Sequence, residues 1–260
     1  PTNTPLNAWL DIRARDQIQL PGNAEIEWVI PSLSSRISAE ISLAKSARKN
    51  KITLCFHGLP PLLPNSSKVL VFSQNRLYLR LLTLNKFSWR TRQRIRLEQA
   101  VAYIFRKRCS GYLVQTPSMA RDLRQWYGNK DVAVLVLPFI QKLDNISHNE
   151  TVQWDFLYVA DGEAHKNHRR LVEAWVILAH QGFRPSLALT LSSRDTSLLA
   201  WINKQISEYD LRIENLGQMP NNELLPFYWK SAALIFPSLI ESFGLPLIEA
   251  RKAGLPIGAR

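Results

Sequence analysis

The sequence predicts an α/β fold with parallel sheets, arranged in two units. Short β-rich runs alternate with helical stretches along most of the 260 residues. One polar, non-periodic stretch at 140–153 interrupts this alternation and has the composition of a linker. Apolar residues make up 46% and charged residues 21% of the chain, which is a globular composition. We therefore predict a first unit at 1–139, a linker at 140–153 and a second unit at 154–260.

The first unit is predicted to open with a helix at Leu6–Arg15, a strand near Ile26–Ile30 and a helix at Ser35–Arg48. Thr116 has the character of an N-cap for a later helix, with Pro117 at the first helical position. The other predicted elements of this unit are the strands Ile52–Phe56, Lys68–Phe72, Gly111–Val114 and Val132–Leu137 and a basic helix at Ser88–Lys107.

The second unit repeats the alternation of strands and helices. Asn167 is predicted to cap a helix that Gly182 ends. Further helices are expected at Ser197–Ser207 and from Asn221 or Asn222 to Trp229. The predicted strands are Trp154–Val159, Leu187–Leu191, Ile213–Leu216 and Ala233–Phe236. In such open sheets, ligands bind outside the carboxyl ends of the strands, so residues in those loops are the candidates for a site.

Charge and cysteine content narrow the possible partners. The net charge of +12 favours phosphorylated or otherwise anionic partners. Cys55 and Cys109 are too few for a disulfide framework or a metal cluster, and we interpret them as thiols of a cytosolic protein. We expect no membrane-spanning segment, since no apolar run approaches the roughly 18 residues that one needs. We also expect both ends of the sequence to be incomplete.

The segment from Phe236 to Ile257 carries the most specific signal. A buried strand gives way to a loop with Glu241 and Gly244, and then to a helix with Pro246 in its first turn. A glycine lets a ligand approach the backbone, and a helix start suits a phosphate. Glu249 lies within the first two turns of this helix. Two glutamates eight positions apart, taken alone, would indicate only a solvated surface.

The full pattern is Pro-Ser-x-x-Glu-Ser-Phe-Gly-Leu-Pro-x-x-Glu-Ala followed by Ala-Gly-x-Pro. It resembles the signature of glycosyltransferase family 4, the retaining group 1 enzymes of the GT-B fold. The resemblance implies that Glu241 contacts the transferred sugar and that Glu249 binds the ribose. It also implies that the backbone of Phe243, Gly244 and Leu245 serves the sugar and the diphosphate.

Two further segments are similar to the same family. Residues 156–168 resemble the stretch in which a lysine before an asparagine stabilises the leaving diphosphate, and Lys166 holds that position. Ala160 and Asp161 stand where many members have Gly-Arg, so a second cation for the diphosphate is not identified. Without the resemblance, Lys166 would be interpreted as a solvated surface residue. Near Leu216 the resemblance places Gly217 and Gln218 close to the nucleotide.

The resemblance implies a GT-B fold: two Rossmann-like domains whose parallel sheets face a central cleft, here incomplete at both termini. The family's first strand, with its Gly-rich loop, is expected to be missing from the first unit. His57 is the candidate functional histidine of that unit, and Asn75 and Arg76 are candidate contacts for acceptor or phosphate oxygens. The plain alternative is that all three make only local hydrogen bonds.

The function implied is transfer of a sugar, with retention, from a nucleotide-sugar donor to a glycan or lipid-linked acceptor in polysaccharide or glycan biosynthesis. No cofactor and no metal are expected, since the chain lacks an Asp-x-Asp pair. We expect catalysis by electrostatics and positioning, and no nucleic-acid partner. Two alternatives remain: an inactive, basic surface-binding protein on a GT-B-like scaffold, or a GT-B epimerase or phosphorylase.

The basic helix leaves two interpretations open. Leu97, Val101, Ile104 and Phe105 form an apolar stripe, while eight basic residues and one acid, Glu98, fall between 86 and 108. The stripe could meet an anionic membrane surface, which would place the protein in the cytoplasm at the inner face of the membrane. It could equally belong to the core, with a solvated basic face.

Overall fold

A computed structural model describes residues 6–15, 22–49, 51–79, 84, 87–128, 132–137, 151–220, 223–241 and 243–259. The chain divides into two compact units, described separately below. The N-terminal unit comprises Pro1–Leu82 with Gln93–Pro138, and the C-terminal unit comprises Thr83–Arg92 with Phe139–Arg260. Most of the predicted linker, at 140–150, lies outside the described residues. None of the helices in the described ranges has the length and apolar content that a membrane crossing requires.

The described residues of the N-terminal unit form two parallel sheets. Strands β1 (Leu6–Asp11) and β2 (Ala24–Val29) pair with each other. The second sheet has four parallel strands that neighbour one another in chain order. These strands are β3 (Ile52–Cys55), β4 (Lys68–Phe72), β5 (Gly111–Val114) and β6 (Ala133–Val136).

The helix predicted at Leu6–Arg15 is wrong. The chain forms β1 there, followed by a 3-10 turn at Ile12–Ala14. Leu6, Ala8 and Leu10 alternate with bulkier or polar residues, a period of two that fits a strand. Tertiary pairing with β2 then decides the outcome, because a stretch of ten residues is too short for a helix to be stable by its own propensity.

In the described part of this unit, the helices beside these sheets are α1 (Leu33–Ser46), α2 (Trp89–Phe105) and α3 (Pro117–Tyr127). The predicted start of α3 is confirmed, since the Thr116 hydroxyl accepts a hydrogen bond from the backbone N–H of Met119 at 3.2 Å. α3 packs its apolar face, including Met119 and Leu123, into the core of this unit with Val71 of β4.

The described residues of the C-terminal unit form a five-stranded parallel sheet. Its strands are β7 (Trp154–Tyr158), β8 (Leu187–Leu189), β9 (Ile213–Asn215), β10 (Ser231–Phe236) and β11 (Ile257–Ala259). Their order in the sheet is β11-β10-β7-β8-β9. The chain runs outward from β7 through β8 to β9 and then returns to place β10 on the other side of β7. The direction of winding therefore reverses between β7 and β10, which makes this the switch point of the sheet.

Among the residues that the structure describes, the helices between these strands are α4 (His168–His180), α5 (Thr196–Tyr209), α6 (Leu225–Trp229) and α7 (Leu245–Lys252). The core of the unit is continuous around β7 and β8, whose Leu157 and Leu189 side chains are fully buried. Trp175 of α4 packs its ring edge-on against Phe156 at 5.4 Å between centroids. A rigid sheet of this kind fixes the loops at its carboxyl edge.

Candidate functional site

The loops that follow β7 and β10 are joined to each other at the switch point. The backbone N–H of Leu239 donates to the carbonyl of His165 at 2.9 Å. The Asn167 side-chain amide donates to the carbonyl of Pro237 at 3.2 Å. The Tyr158 hydroxyl donates to the carbonyl of Lys166 at 2.6 Å. These bonds hold segments about 70 residues apart in sequence as one structural group.

Asn167, predicted to cap α4, occupies the N-cap position of that helix. Its side chain makes no capping hydrogen bond, however, and donates to the carbonyl of Pro237 instead. Its backbone is left-handed, with φ of 65°, which asparagine tolerates better than most residues. The residue connects the two loops rather than only starting the helix.

Lys166 and Glu241 form an ion pair across the two loops. The Lys166 Nζ lies 2.8 Å from the Glu241 Oε2, and the two side chains are 15% and 28% exposed. A pair with this little exposure is less screened than a surface pair. The structure thus brings together the two residues that the sequence assigns to the diphosphate and to the sugar.

The turn before α7 depends on Gly244. Its φ is 75°, in the left-handed region that favours glycine. A Cβ at this position would lie 3.0 Å from Leu247 Cδ1 and 3.3 Å from Glu241 Cγ. The glycine therefore lets the chain turn into α7 while Glu241 stays against the backbone.

Glu249 is the buried carboxylate of the site. It is 8% exposed, and its Oε2 accepts a hydrogen bond of 2.7 Å from the Tyr228 hydroxyl of α6. Burial, together with the charge of Glu249, raises the pKa of Tyr228, so the hydroxyl remains a donor at neutral pH. Sequence reasoning missed Tyr228, because 21 residues separate it from Glu249 and no local pattern links them.

A cavity of about 270 Å³ opens at this edge of the C-terminal sheet. Its lining includes four of the candidate site residues from the sequence, Lys166, Gln218, Leu245 and Glu249, whose roles stay predictions. Gly217 is next to the lining and turns the chain with φ of 82°. The lining is completed by Val159, Ala160, Asp161, Thr190, Ser192, Met219, Leu224 and Pro246.

The lining has an uneven balance of charge. Among its residues, all of which the structure describes, Lys166 is the one base, against the acids Asp161 and Glu249. Two nearby histidines do not add positive charge at neutral pH, since burial lowers the pKa of His165 and lowers that of His168 to about 4. Asp161, which stands where many members of the family that the sequence resembles have an arginine, therefore contributes an acid to the cavity lining.

The three candidates of the N-terminal unit are placed as follows. His57 is exposed and follows β3, next to the left-handed Gly58. The Asn75 side-chain oxygen accepts from the backbone N–H of Leu77 at 3.0 Å. Arg76 is held on α3 by Asp122, with its Nε 2.9 Å from the carboxylate, and by the Ser118 hydroxyl at 3.0 Å. Their functional roles stay predictions.

Comparison with known proteins finds that the C-terminal unit is similar to glycosyltransferases. Residues 140–259 match the family model described as "Glycosyl transferases group 1". The chain is 31% identical over 105 residues to O-antigen chain mannosyltransferase B of Escherichia coli. That match covers 39% of this chain and 27% of the relative, so the chain spans well under half of this curated relative.

Solved structures resemble the chain over both units. A mutant of S. aureus TarM, in complex with Fondaparinux, alpha-GlcNAc-glycerol and UDP, superposes with a TM-score of 0.63 at 13% identity, covering 86% of this chain and 44% of TarM. WaaG, a glycosyltransferase involved in lipopolysaccharide biosynthesis, gives 0.63 at 15% identity, covering 94% and 70%. Sucrose-phosphate synthase from Thermosynechococcus elongatus gives 0.64 at 17%, covering 98% and 71%.

Identities this low establish the fold alone, and the fold predicted from the sequence is confirmed: α/β with parallel sheets, matching solved GT-B glycosyltransferases. The region that matches the family model contains the whole cavity lining, since every residue that lines the cavity falls within 140–259. Residues 140–259 are thus similar to group 1 glycosyl transferases, and the fold of the chain is that of solved GT-B glycosyltransferases.

Proposed function

We propose that this protein transfers a sugar from a nucleotide-sugar donor to a glycan or lipid-linked acceptor, with retention at the anomeric carbon, in polysaccharide or glycan biosynthesis. The observation that carries the proposal is the Lys166–Glu241 pair at the switch point, beside a cavity that Lys166 and Glu249 both line. The match to group 1 glycosyl transferases and the similarity to a mannosyltransferase support it.

The donor diphosphate would be held by Lys166 and the start of α7. Lys166 supplies a full charge, and Leu245 and Pro246 bring the first turn of the helix to the cavity wall. As the bond between the anomeric carbon and the diphosphate oxygen breaks, negative charge grows on the leaving group. Groups already in place for that charge stabilise the transition state more than the ground state. We propose that no metal ion is needed for this step.

The sugar and the ribose would be held by the two glutamates. Glu241, kept in place by its ion pair with Lys166, would accept hydrogen bonds from sugar hydroxyls. The Glu249 Oε2 is engaged by Tyr228, so its Oε1 would accept from a ribose hydroxyl. Retention follows if the acceptor oxygen bonds to the anomeric carbon on the face that the diphosphate leaves, while the acceptor proton passes to the departing phosphate oxygen.

We propose a cytoplasmic location, because both cysteines of the chain are free thiols, Cys55 buried and Cys109 partly buried.

A second candidate function is a GT-B-like protein that binds without turnover. Asp161 favours it, since this acid lines the cavity where a diphosphate would gain from a cation. A GT-B epimerase or phosphorylase would use the same cavity. Analysis of the products formed from donor and acceptor separates these activities from transfer.

Thermal-shift measurements with a panel of nucleotide sugars and free nucleoside diphosphates test the proposal. We expect at least one nucleotide sugar to raise the Tm. Lys166→Ala should lower the affinity for both ligand types by about tenfold to a hundredfold, because it removes a charged hydrogen bond to the diphosphate. Glu241→Gln should lower the affinity for the nucleotide sugar and leave the affinity for the free nucleoside diphosphate unchanged.

The exposed Lys204 of α5 provides the matched control, and Lys204→Ala should leave both affinities unchanged. Failure of every nucleotide sugar to stabilise the protein contradicts the proposed function. Adding EDTA to the assay and to turnover measurements checks the metal-independent mechanism, since a loss of activity in EDTA would reject it.

A further inference from the structure

The apolar stripe that the sequence predicts on helix α2 faces solvent in the structure. Leu97 and Ile104 are 67% and 66% exposed, and Val101 between them is partly buried. The buried residues of α2 are instead Ile95, Gln99 and Ala102, on the opposite side of the helix. The interpretation of Leu97, Val101, Ile104 and Phe105 as a core stripe is therefore wrong, since the first and third are exposed and the other two are only partly buried. Leu97, Val101 and Ile104, hereafter the Leu97 stripe, form an apolar surface on the solvent-facing side of α2.

The orientation of α2 is fixed by contacts on its buried side. The Gln99 side-chain amide donates to the carbonyl of Leu77 at 2.7 Å, and Ile95 is 2% exposed. A buried amide that gave up this bond would be left unsatisfied, at a cost. Rotating the helix to bury the Leu97 stripe would break this bond and expose Ile95, so the stripe faces outward in the folded unit.

Basic side chains border the stripe on both sides. Arg94 lies three residues before Leu97, and Lys107 lies three residues after Ile104; both are exposed, as is Arg96. The one acid in α2, Glu98, lies in the field of Arg94. Arg106 and Arg108 are not counted in this basic border, because their guanidinium groups donate to the backbone carbonyls of Tyr103 and Leu62. The surface thus has an apolar centre and a cationic border.

We propose that this face of α2 docks on an anionic lipid bilayer surface, with the Leu97 stripe in the interface and the arginines on lipid phosphates. A helix with apolar side chains between long basic ones fits such an interface, since the stems of Arg and Lys reach outward to the headgroups. The proposal does not depend on transferase activity.

Two other occupants fit the face less well. A second copy of this chain would bring Arg94 and Arg96 of each copy close to those of the other, and like charges in an interface cost free energy. Nucleic acid would be bound by the cationic border but gains nothing from burying Leu97 and Ile104. An anionic membrane surface is the partner that uses both parts of the face.

Vesicle flotation of the whole chain at low salt tests this proposal. The protein should float with vesicles of phosphatidylcholine and phosphatidylglycerol but not with phosphatidylcholine alone. Leu97→Ser with Ile104→Ser should abolish flotation. Arg94→Gln with Arg96→Gln should weaken partitioning about twenty-five-fold, because each basic residue near an anionic surface contributes about a factor of five. Circular dichroism and thermal unfolding should be unchanged, since all four side chains are exposed.

Matched controls lie on the same unit. Lys45→Gln with Lys49→Gln removes the same charge from exposed positions, and Leu33→Ser with Ile37→Ser removes the same kind of exposed apolar side chain from α1. Both pairs should float like the wild type. If the serine pair of α2 fails to fold, the arginine pair still tests the proposal against its charge-matched control.

Three outcomes would overturn the proposal. The first is a wild-type chain that does not float with anionic vesicles at low salt. The second is a control pair that loses as much binding as the α2 pair it matches. The third is self-association, measured by light scattering, that the α2 serine pair abolishes while its vesicle binding is unchanged, which would assign the stripe to a second copy.

Discussion

Single hydroxyl and carboxyl groups organise the cavity at the residue scale. Tyr228 and Glu249 are buried together, with a hydrogen bond of 2.7 Å between them. A carboxylate with this little exposure needs partners, because an unsatisfied buried charge is costly. Its geometry at the cavity therefore depends on a tyrosine that need not touch any ligand itself.

Tyr228→Phe should destabilise the protein by about 1–3 kcal/mol, because it leaves the buried Glu249 carboxylate without its donor. Nucleotide affinity should fall as well, since the carboxylate is then free to reorient. Urea unfolding and nucleotide titrations measure the two effects. Tyr209→Phe on α5 is the control, and a loss of stability as large as that of Tyr228→Phe would argue against a special role for the buried pair.

His168 gives the stability a pH dependence. It is 3% exposed, neither ring nitrogen has a hydrogen-bond partner among the described residues, and burial lowers its pKa from 6.5 to about 4. Between these values the unfolded chain binds the proton and the folded one does not. Stability is therefore fully present above pH 6.5 and is lost as the pH falls toward 4.

We expect this residue to account for up to about 3 kcal/mol between pH 7 and pH 4, since one pKa unit corresponds to about 1.36 kcal/mol. Urea unfolding at several pH values measures it. His168→Phe keeps a ring against Tyr158, whose centroid lies 4.8 Å from that of His168, and should reduce the slope of the profile in this window. An unchanged profile in the variant would show that other groups cause the acid loss.

At the scale of elements, the turn into α7 couples backbone conformation to the position of a side chain. Gly244 and Gly254 stand at the two ends of this helix, with φ of 75° and 72°. A Cβ at Gly244 would press on Glu241 Cγ and Leu247, whereas a Cβ at Gly254 would meet nothing within 4 Å. The two glycines share the backbone requirement and differ in their surroundings.

Gly244→Ala and Gly254→Ala should each cost about 1 kcal/mol, because alanine at positive φ is strained. Only Gly244→Ala should also weaken nucleotide-sugar binding, since it displaces Glu241 from Lys166. Unfolding midpoints and ligand titrations on both variants provide the comparison. Equal ligand affinities for the two variants would show that the turn does not position Glu241.

Helix α2 shows how a helical pattern can be identified while its buried side is not. Basic residues and apolar residues recur around the whole helix, so periodicity alone does not select one face. The buried side of the helix is determined instead by Gln99 and Ile95, which contact the rest of the unit. By contrast, the start of α3 follows from the Thr116–Pro117 pair, because an N-cap is a local interaction.

On the scale of the whole molecule, the described cavity belongs to the C-terminal unit alone. Nucleotide binding should therefore protect backbone amides of β7, β10 and α7 in hydrogen exchange, while those of β4 and β5 should keep their rates. Hydrogen exchange with mass spectrometry, with and without the nucleotide sugar that gives the largest thermal shift, measures this. Protection confined to β4 and β5 would place the nucleotide elsewhere.

The sequence by itself determined the α/β class, the parallel alternation of the second unit and the segment at 237–254, because these depend on short-range patterns of apolar residues, glycine and proline. Only the tertiary structure decided that Leu6–Asp11 is a strand, that Lys166 pairs with Glu241, that Tyr228 supports Glu249, and that the Leu97 stripe faces solvent. These outcomes depend on partners far away in the chain. The sheet brings such partners together through its order of strands, and no local pattern encodes that order.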